Sequence, residues 1–138
     1  MIFLNGFSGG TLARNFFIDL PKIQPELEKW VEKQSTNWSS NSVSFTNTML
    51  KGGLQGRCIT RDLKWGTPIP LEAYKDKVFY VWFDAPIGYI SATKELKPND
   101  WEKYWKDKDT TLLHFIGKDN IVFHCLLFPA FLHAHGEY

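Results

Sequence analysis

The sequence predicts an α/β fold in which a partial parallel sheet is preceded by short helices. Two apolar runs, residues 78–83 (VFYVWF) and 112–116 (LLHFI), indicate strands. The first run does not alternate polar and apolar residues, which is typical of a strand buried on both faces of a parallel sheet. The intervening residues 90–110 are long enough for the crossover that parallel neighbours require.

Length and composition favour one compact, intracellular unit. The chain has 138 residues, with 16 basic and 15 acidic side chains. This balance argues against capture of nucleic acid through net charge and leaves a local basic edge open. Cys58 and Cys125 are far apart, which indicates neither a zinc knuckle nor a disulfide framework. No secretory leader and no membrane-spanning run are apparent, so we expect a cytoplasmic protein that does not bind membranes.

The first predicted helix follows Asp19, a suitable N-cap. Its apolar residues recur at helical spacing; they are Ile23, Leu27, Trp30 and Val31. The polar residues 34–42 then form a predicted loop.

A second short helix is predicted to end at Gly52 and Gly53, because glycine readily adopts the left-handed conformation that closes a helix. Its apolar face is predicted to contain Phe45, Met49 and Leu50. A short extended piece and irregular backbone follow, since Pro68 and Pro70 forbid a continuous helix.

Two further helices are predicted after residue 98. Asn99 and Glu102 resemble a capping box in front of a helix whose aromatic residues share one side. The segment 120–134 is apolar almost all round, so as a helix it lies mostly inside, and Pro129 is expected to bend it.

Polar residues follow both predicted strands: Asp84 after the first, and Gly117, Lys118 and Asp119 after the second. Ligands of open α/β sheets bind at this edge. Gly117 would admit a ligand to the backbone, Lys118 would neutralise phosphate, and Asp119 would accept hydrogen bonds from ribose hydroxyls. In the alternative interpretation, Asp119 or Asn120 caps the last helix and Lys118 is solvated. The pattern leaves both interpretations open.

The histidines and the Arg61-Asp62 dipeptide carry weaker signals. His124 lies one turn into the last helix, either as a satisfied core residue or as a donor lining a pocket. His133 and His135 have no third ligand near them, so no metal site is predicted. Arg61 and Asp62 form either a surface ion pair or a charged element at the mouth of a site.

Three segments resemble, in order and spacing, the second half of the catalytic domain of methionyl-tRNA synthetases, which are class I aminoacyl-tRNA synthetases. They are RDLKWGTPIP, KVFYVWFDAPIGYISATKEL and FIGKDNIVFHCLLFPA. The likeness runs from about residue 15 to the end. It implies that residues 1–53 are the tail of a connective insertion with its linking helices. Residues 54–138 would form the second half of a Rossmann-type catalytic domain.

The resemblance also implies substrates and partners. The family joins methionine and ATP, with Mg2+, into methionyl-adenylate and transfers the methionyl group to tRNA(Met). Expected partners are therefore methionine, ATP, tRNA(Met) and the remainder of the synthetase chain. No metal ligands are expected in this fragment.

Site residues follow from the same resemblance, position by position. The methionine pocket would comprise Trp82, Ala85, Pro86, Tyr89, Phe123 and His124. The nucleotide contacts would be Gly117, Lys118 and Asp119, and the catalytic residues Arg61 and Lys118. A soft thioether suits aromatic edges and one weak hydrogen-bond donor, which agrees with this set. Phe128 stands where other members carry tryptophan.

Several elements of the family have no counterpart in this sequence. They are the His-x-Gly-His-type motif, the zinc knuckles and the Lys-Met-Ser-Lys-Ser-type loop. These elements position ATP, so we expect the isolated chain to be catalytically inactive. Its apolar runs would expose open sheet edges and promote aggregation. The alternatives are a non-catalytic module that binds methionine or a nucleotide, and an interaction domain derived from a synthetase half.

Overall fold

The computed structural model describes residues 2–8 and 11–137, with side chains from residue 14 onward. The strands are β1 (Ile2–Ser8), β2 (Thr11–Ile18), β3 (Arg57–Cys58), β4 (Thr60–Arg61) and β5 (Val78–Phe79). The α-helices are α1 (Leu20–Gln34), α2 (Ser40–Lys51), α3 (Val81–Asp84), α4 (Ile87–Leu96), α5 (Trp101–Lys106) and α6 (Phe128–His135). A π-helix, Phe123–Leu127, precedes α6, and a 3-10 turn covers Lys118–Asn120.

Strand pairing among the described residues is antiparallel, which differs from the predicted parallel sheet. β1 and β2 form a hairpin, and β2 continues the sheet by pairing Phe17 with Cys58 of β3. β4 and β5 form a second, two-stranded sheet in which Thr60 pairs with Phe79. The structure thus has mixed helix and strand content but shows no parallel strand pair in residues 2–8 and 11–137.

The predicted strand at 78–83 was wrong beyond its second residue. Only Val78–Phe79 is paired as a strand, Tyr80 is still extended, and the chain becomes helical at Val81. Its partner β4 is two residues long, so the ladder ends there. The amide of Phe83 then donates to the Tyr80 carbonyl oxygen at 2.7 Å, which starts the turn into α3.

The predicted strand at 112–116 was also wrong as a hydrogen-bonded strand. The segment has no assigned secondary structure, because no described backbone pairs with it. Its side chains nevertheless alternate as in a strand. His114 and Ile116 are half-buried, whereas Leu113 is 73% exposed and Phe115 is 96% exposed. It therefore has the side-chain pattern of a strand without a pairing partner.

The first helix is confirmed. Asp19 caps α1, since its Oδ1 accepts a hydrogen bond from the Lys22 amide at 3.3 Å. Leu27 and Val31 are buried, as the helical spacing predicted. Trp30 lies at the rim, 38% exposed, and packs 5.7 Å from Trp38 between ring centroids.

The second helix forms as predicted, but its buried face is shifted by one position. The buried residues of α2 are Thr46 and Leu50, whereas Phe45 and Met49 are largely exposed. The buried pair is four residues apart and faces the core, which places the neighbouring Phe45 and Met49 on its edge. The chain leaves α2 through Gly53, whose φ of +78° is left-handed.

The capping box predicted at Asn99 was wrong by one residue. Asp100 is the residue in front of α5, and its carboxylate pairs with Lys103 at 2.6 Å instead of accepting from the backbone. The helix therefore begins at Trp101 without a side-chain cap.

The predicted inward position of the last segment is confirmed, and Pro129 is associated with a π-helix. Proline has no N–H group and its ring clashes with the carbonyl four residues earlier, which disfavours regular α-helix here. The amide of Phe128 donates to the carbonyl of Phe123, five residues back. The main core joins this segment to α1 and α2; its buried residues are Leu20, Leu27, Val31, Leu50, Leu54, Leu126, Leu127 and Ala130.

Candidate functional site

A hydrogen bond between Tyr89 on α4 and His124 on the π-helix is the centre of the candidate site. The Tyr89 hydroxyl lies 2.9 Å from His124 Nε2, and His124 Nδ1 lies 3.0 Å from the Asn120 carbonyl oxygen. Because that carbonyl can only accept, Nδ1 carries a proton. In the neutral imidazole Nε2 then accepts from the Tyr89 hydroxyl. His124 is 8% exposed and Tyr89 is 44% exposed, so the pair extends from the core to the surface.

The same π-helix also contributes to an aromatic stack. Trp82 on α3 stacks on Phe123, with ring centroids 4.3 Å apart and an interplanar angle of 17°. Phe123 precedes His124 in the π-helix, so the stack and the hydrogen bond both involve this one element. The guanidinium of Arg57 on β3 lies 5.7 Å from the Phe123 centroid, a cation–π contact that the sequence had not indicated.

His114 also belongs to this group, although sequence reasoning missed it. Its ring centroid lies 4.9 Å from that of His124, 5.6 Å from that of Tyr89 and 6.2 Å from that of Phe128. Burial and the nearby His124 lower the pKa of His114 below its usual value. The signal available in the sequence was strand alternation, which places His114 on the same side as Ile116.

Ala85 and Pro86 precede α4, and the Tyr89 amide donates to the Pro86 carbonyl oxygen at 3.2 Å. Ala85 is exposed, whereas Pro86 is buried on the wall of a cleft of about 730 Å³ between α1, α4 and α6. Phe128 also lines this cleft, whereas Tyr89 and His124 do not. Phe128 packs 6.0 Å from Tyr89 between ring centroids, so it lies between the cleft and the pair.

The Arg61 side chain contacts residues near it in sequence and a residue that follows the neighbouring strand. Its Nη1 donates to the carbonyl oxygens of Thr60 at 2.7 Å and Cys58 at 3.2 Å, and its guanidinium lies 4.0 Å from the Tyr80 ring centroid. Asp62 forms its ion pair with Lys77, so the Arg61–Asp62 ion pair considered from the sequence is not formed.

The predicted nucleotide contacts lie on one exposed turn. Gly117, Lys118 and Asp119 are all exposed, and the Asn120 amide closes the turn on the Gly117 carbonyl oxygen at 3.0 Å. Within the described part of the chain, neither the Lys118 nor the Asp119 side chain has a hydrogen-bond partner. Asp119 therefore does not act as the helix cap considered in the alternative interpretation. Asp84, by contrast, accepts a hydrogen bond from the Thr67 hydroxyl at 2.6 Å.

Three further observations concern metal ligands, the cysteines and the length of the helices. Among residues 2–8 and 11–137, no group of three or more His, Cys, Asp or Glu side chains is arranged to hold a metal ion. Both cysteines are free thiols, and burial raises the pKa of Cys125. No helix within the described ranges is sufficiently long and apolar to span a membrane.

Comparisons with known proteins agree on one family. The family described as tRNA synthetases class I (M) matches residues 10–138. The probable cytoplasmic methionine–tRNA ligase of Dictyostelium discoideum is 58% identical over 123 residues, which cover 87% of this chain and 17% of that protein. The methionine–tRNA ligase of Borrelia duttonii is 58% identical over 121 residues, covering 86% of this chain and 16% of that protein. This chain thus spans about a sixth of the length of these curated relatives.

A solved structure shows a similar arrangement of the chain. The Mycobacterium tuberculosis methionyl-tRNA synthetase in complex with methionyl-adenylate matches with a TM-score of 0.76 and 28% sequence identity. The match covers 93% of this chain and 25% of that one.

Proposed function

The chain belongs to the class I (M) tRNA synthetases, and on that premise we propose that it supplies the methionine pocket and part of the nucleotide site of a methionine–tRNA ligase. The whole ligase joins methionine to ATP as methionyl-adenylate, releases pyrophosphate and then transfers the methionyl group to tRNA(Met). The observations that carry the proposal are the Tyr89–His124 hydrogen bond and the Trp82–Phe123 stack, which involve neighbouring residues of the π-helix.

This arrangement has the chemistry that a methionine side chain requires. A thioether is apolar and polarisable, so it packs well against the rings of Trp82 and Phe123. Its sulfur accepts only weak hydrogen bonds, and the Tyr89 hydroxyl would supply one when its single proton turns from His124 Nε2 toward the sulfur. Leucine has a similar volume but no sulfur. The proposed pocket would therefore distinguish methionine by its sulfur.

The exposed turn at 117–119 and Arg61 would complete the substrate contacts. Lys118 would neutralise phosphate oxygens, and the Asp119 carboxylate would accept hydrogen bonds from the ribose hydroxyls. Toward the described residues only Nη1 of Arg61 donates, so its other N–H groups would order the amino-acid end of the site. Mg2+ would arrive with the triphosphate of ATP, because the described residues offer no three-ligand group.

The proposal includes an organisation for the whole ligase. Residues 1–53 would end a connective insertion, and the left-handed Gly53 closes α2 at that boundary. Residues 54–138 would form the second Rossmann half, in which β5 and the extended residues 112–116 join a parallel sheet with strands from the remainder of the ligase. We assign this ligase to the cytoplasm, where tRNA charging serves translation.

Calorimetric titration of the 138-residue chain with methionine and with leucine tests the pocket. We expect saturable heat with methionine and none with leucine at the same concentrations. Trp82→Ala should abolish the methionine heat, whereas Trp65→Ala should not, since Trp65 is 90% exposed in the loop after β4. No selective heat from the unmodified chain would contradict the pocket and favour an interaction domain.

Pyrophosphate exchange tests the proposed inactivity of this chain alone. The sequence lacks the motifs that position ATP in the family, so methionine should bind without supporting exchange. Methionine-dependent exchange by the purified 138-residue chain would refute the inactivity and leave the pocket assignment intact.

A further inference from the structure

We propose that His114 is a positioning residue of the methionine pocket, which holds the Tyr89–His124 pair in place only while its own imidazole is neutral. The inference rests on the proposed function in so far as the pair lines a methionine pocket. It adds a residue to that pocket, and it predicts that methionine affinity falls at low pH.

The geometry places His114 against both members of the pair. Its ring meets that of His124 nearly edge to face, with centroids 4.9 Å apart at 64°, and that of Tyr89 at 5.6 Å. His114 also contacts Phe128, at 6.2 Å and 78°. One ring from residues 112–116, that of His114, therefore contacts both Tyr89 and His124. That segment has no backbone partner among the described residues, so side-chain packing fixes it.

A charge on His114 is unfavourable in this position. The ring is half-buried, and no described group accepts a hydrogen bond from it. A proton on His114 would also face a proton on His124, and two like charges at this separation disfavour each other. Desolvation first, and the charge of His124 second, lower the pKa of His114.

The other titratable groups around the two rings do not offset this repulsion. Tyr89, from α4, contributes a neutral hydroxyl that is already bonded to His124. Arg57, from β3, adds a positive charge over Phe123, next to His124. Cys125 contributes a buried thiol, and burial raises its pKa. No described carboxylate forms an ion pair with His114 or His124, so a state in which both imidazoles are protonated has no counter-charge.

The direction of the pH effect follows from these contacts. Because the folded chain favours neutral His114, the packed arrangement is stable above the ordinary histidine pKa of about 6.5. It is lost as the pH falls from that value through the lowered pKa of His114. Methionine binding should then weaken by up to about tenfold per pH unit, the limit for one coupled proton.

Methionine calorimetry between pH 8 and pH 5 tests the inference on the 138-residue chain. The unmodified chain should show the acid loss of affinity. His114→Phe keeps a ring but removes the proton, so, whatever its affinity at pH 8, it should lack the acid loss. His133→Gln, a matched control at an exposed histidine of α6, should retain the acid loss. An unchanged acid loss in His114→Phe would overturn the proposal.

Histidine NMR titration provides a second measurement that needs no ligand. In the unmodified chain the Cε1 proton of His114 should titrate below the ordinary histidine range, and His124→Gln should raise that midpoint. A His114 midpoint at or above the ordinary value would overturn the proposal even if His114→Phe failed to fold. Absence of methionine heat at every pH would instead count against the proposed function, since the NMR result does not depend on methionine.

Discussion

At the residue scale, the hydroxyl of Tyr89 is one oxygen atom with two proposed tasks. Its one proton is donated to Nε2 of His124, which is 8% exposed, and with methionine bound the same proton would turn to the sulfur. Removal of the hydroxyl leaves a buried ring nitrogen without its donor, and such a loss costs more than the net value of the hydrogen bond. Substitution of Tyr89 should therefore cost more than its 44% exposure would indicate.

Tyr89→Phe should weaken methionine binding about fivefold, the equivalent of about 1 kcal/mol for one hydrogen bond. Calorimetry on the 138-residue chain measures this change. Tyr104→Phe is the matched control, because Tyr104 on α5 is 49% exposed and its hydroxyl has no described partner. Equal affinities of Tyr89→Phe and the unmodified chain would show that the hydroxyl does not contribute to methionine binding.

The residues of the site could be anticipated only in part from the sequence. The structure brings together Tyr89 with His124 and Trp82 with Phe123, pairs that the resemblance had proposed as one pocket. His114 was missed because it lies inside an apolar run, where a polar residue suggests only a satisfied core position. Arg57 was missed because its contact with Phe123 depends on the register of β2 and β3.

At the element scale, Gln24 joins α1 to the end of α2. Its Nε2 donates to the Leu50 carbonyl oxygen at 2.9 Å, and its Oε1 accepts from the Leu54 amide at 2.6 Å. One amide side chain thus satisfies a backbone acceptor and a backbone donor where α2 ends. Leu50 and Leu54 both belong to the main core, so these two Gln24 hydrogen bonds help to fix the backbone that positions both leucines.

Gln24→Ala should lower the free energy of unfolding by about 1–3 kcal/mol, since two partly buried backbone groups lose their partners. Urea denaturation followed by circular dichroism measures the loss. Gln34→Ala is the control, because Gln34 is the exposed last residue of α1. A Gln24→Ala midpoint equal to that of Gln34→Ala would mean that water replaces both hydrogen bonds without cost.

Helices were predicted better than strands because their signals are local. The cap at Asp19 and the spacing of Leu27 and Val31 lie within α1 itself, and all were confirmed. A strand depends on a hydrogen-bonding partner that is distant in sequence. The apolar runs at 78–83 and 112–116 carried no information on pairing, and Val81, Leu113 and Phe115 in these runs are exposed.

At the scale of the whole molecule, exposed apolar side chains mark the surfaces that the described residues leave uncovered. Phe115 is 96% exposed and Leu113 is 73% exposed, both on the outward side of residues 112–116. The backbone of that segment also lacks a strand partner among the described residues. Open N–H and C=O groups next to large apolar side chains favour edge-to-edge association of chains.

Phe115→Lys should therefore reduce self-association of the 138-residue chain. A charge on an open edge opposes pairing with a second copy, whereas the same charge elsewhere only adds solubility. Sedimentation velocity at increasing concentration should show fewer oligomers for Phe115→Lys than for the unmodified chain. The control is Leu96→Lys, because Leu96 is 77% exposed at the end of α4, where the backbone is helical. If both variants reduced association equally, exposed apolar surface in general would explain the self-association. The unpaired backbone at residues 112–116 would then have no specific role in the self-association.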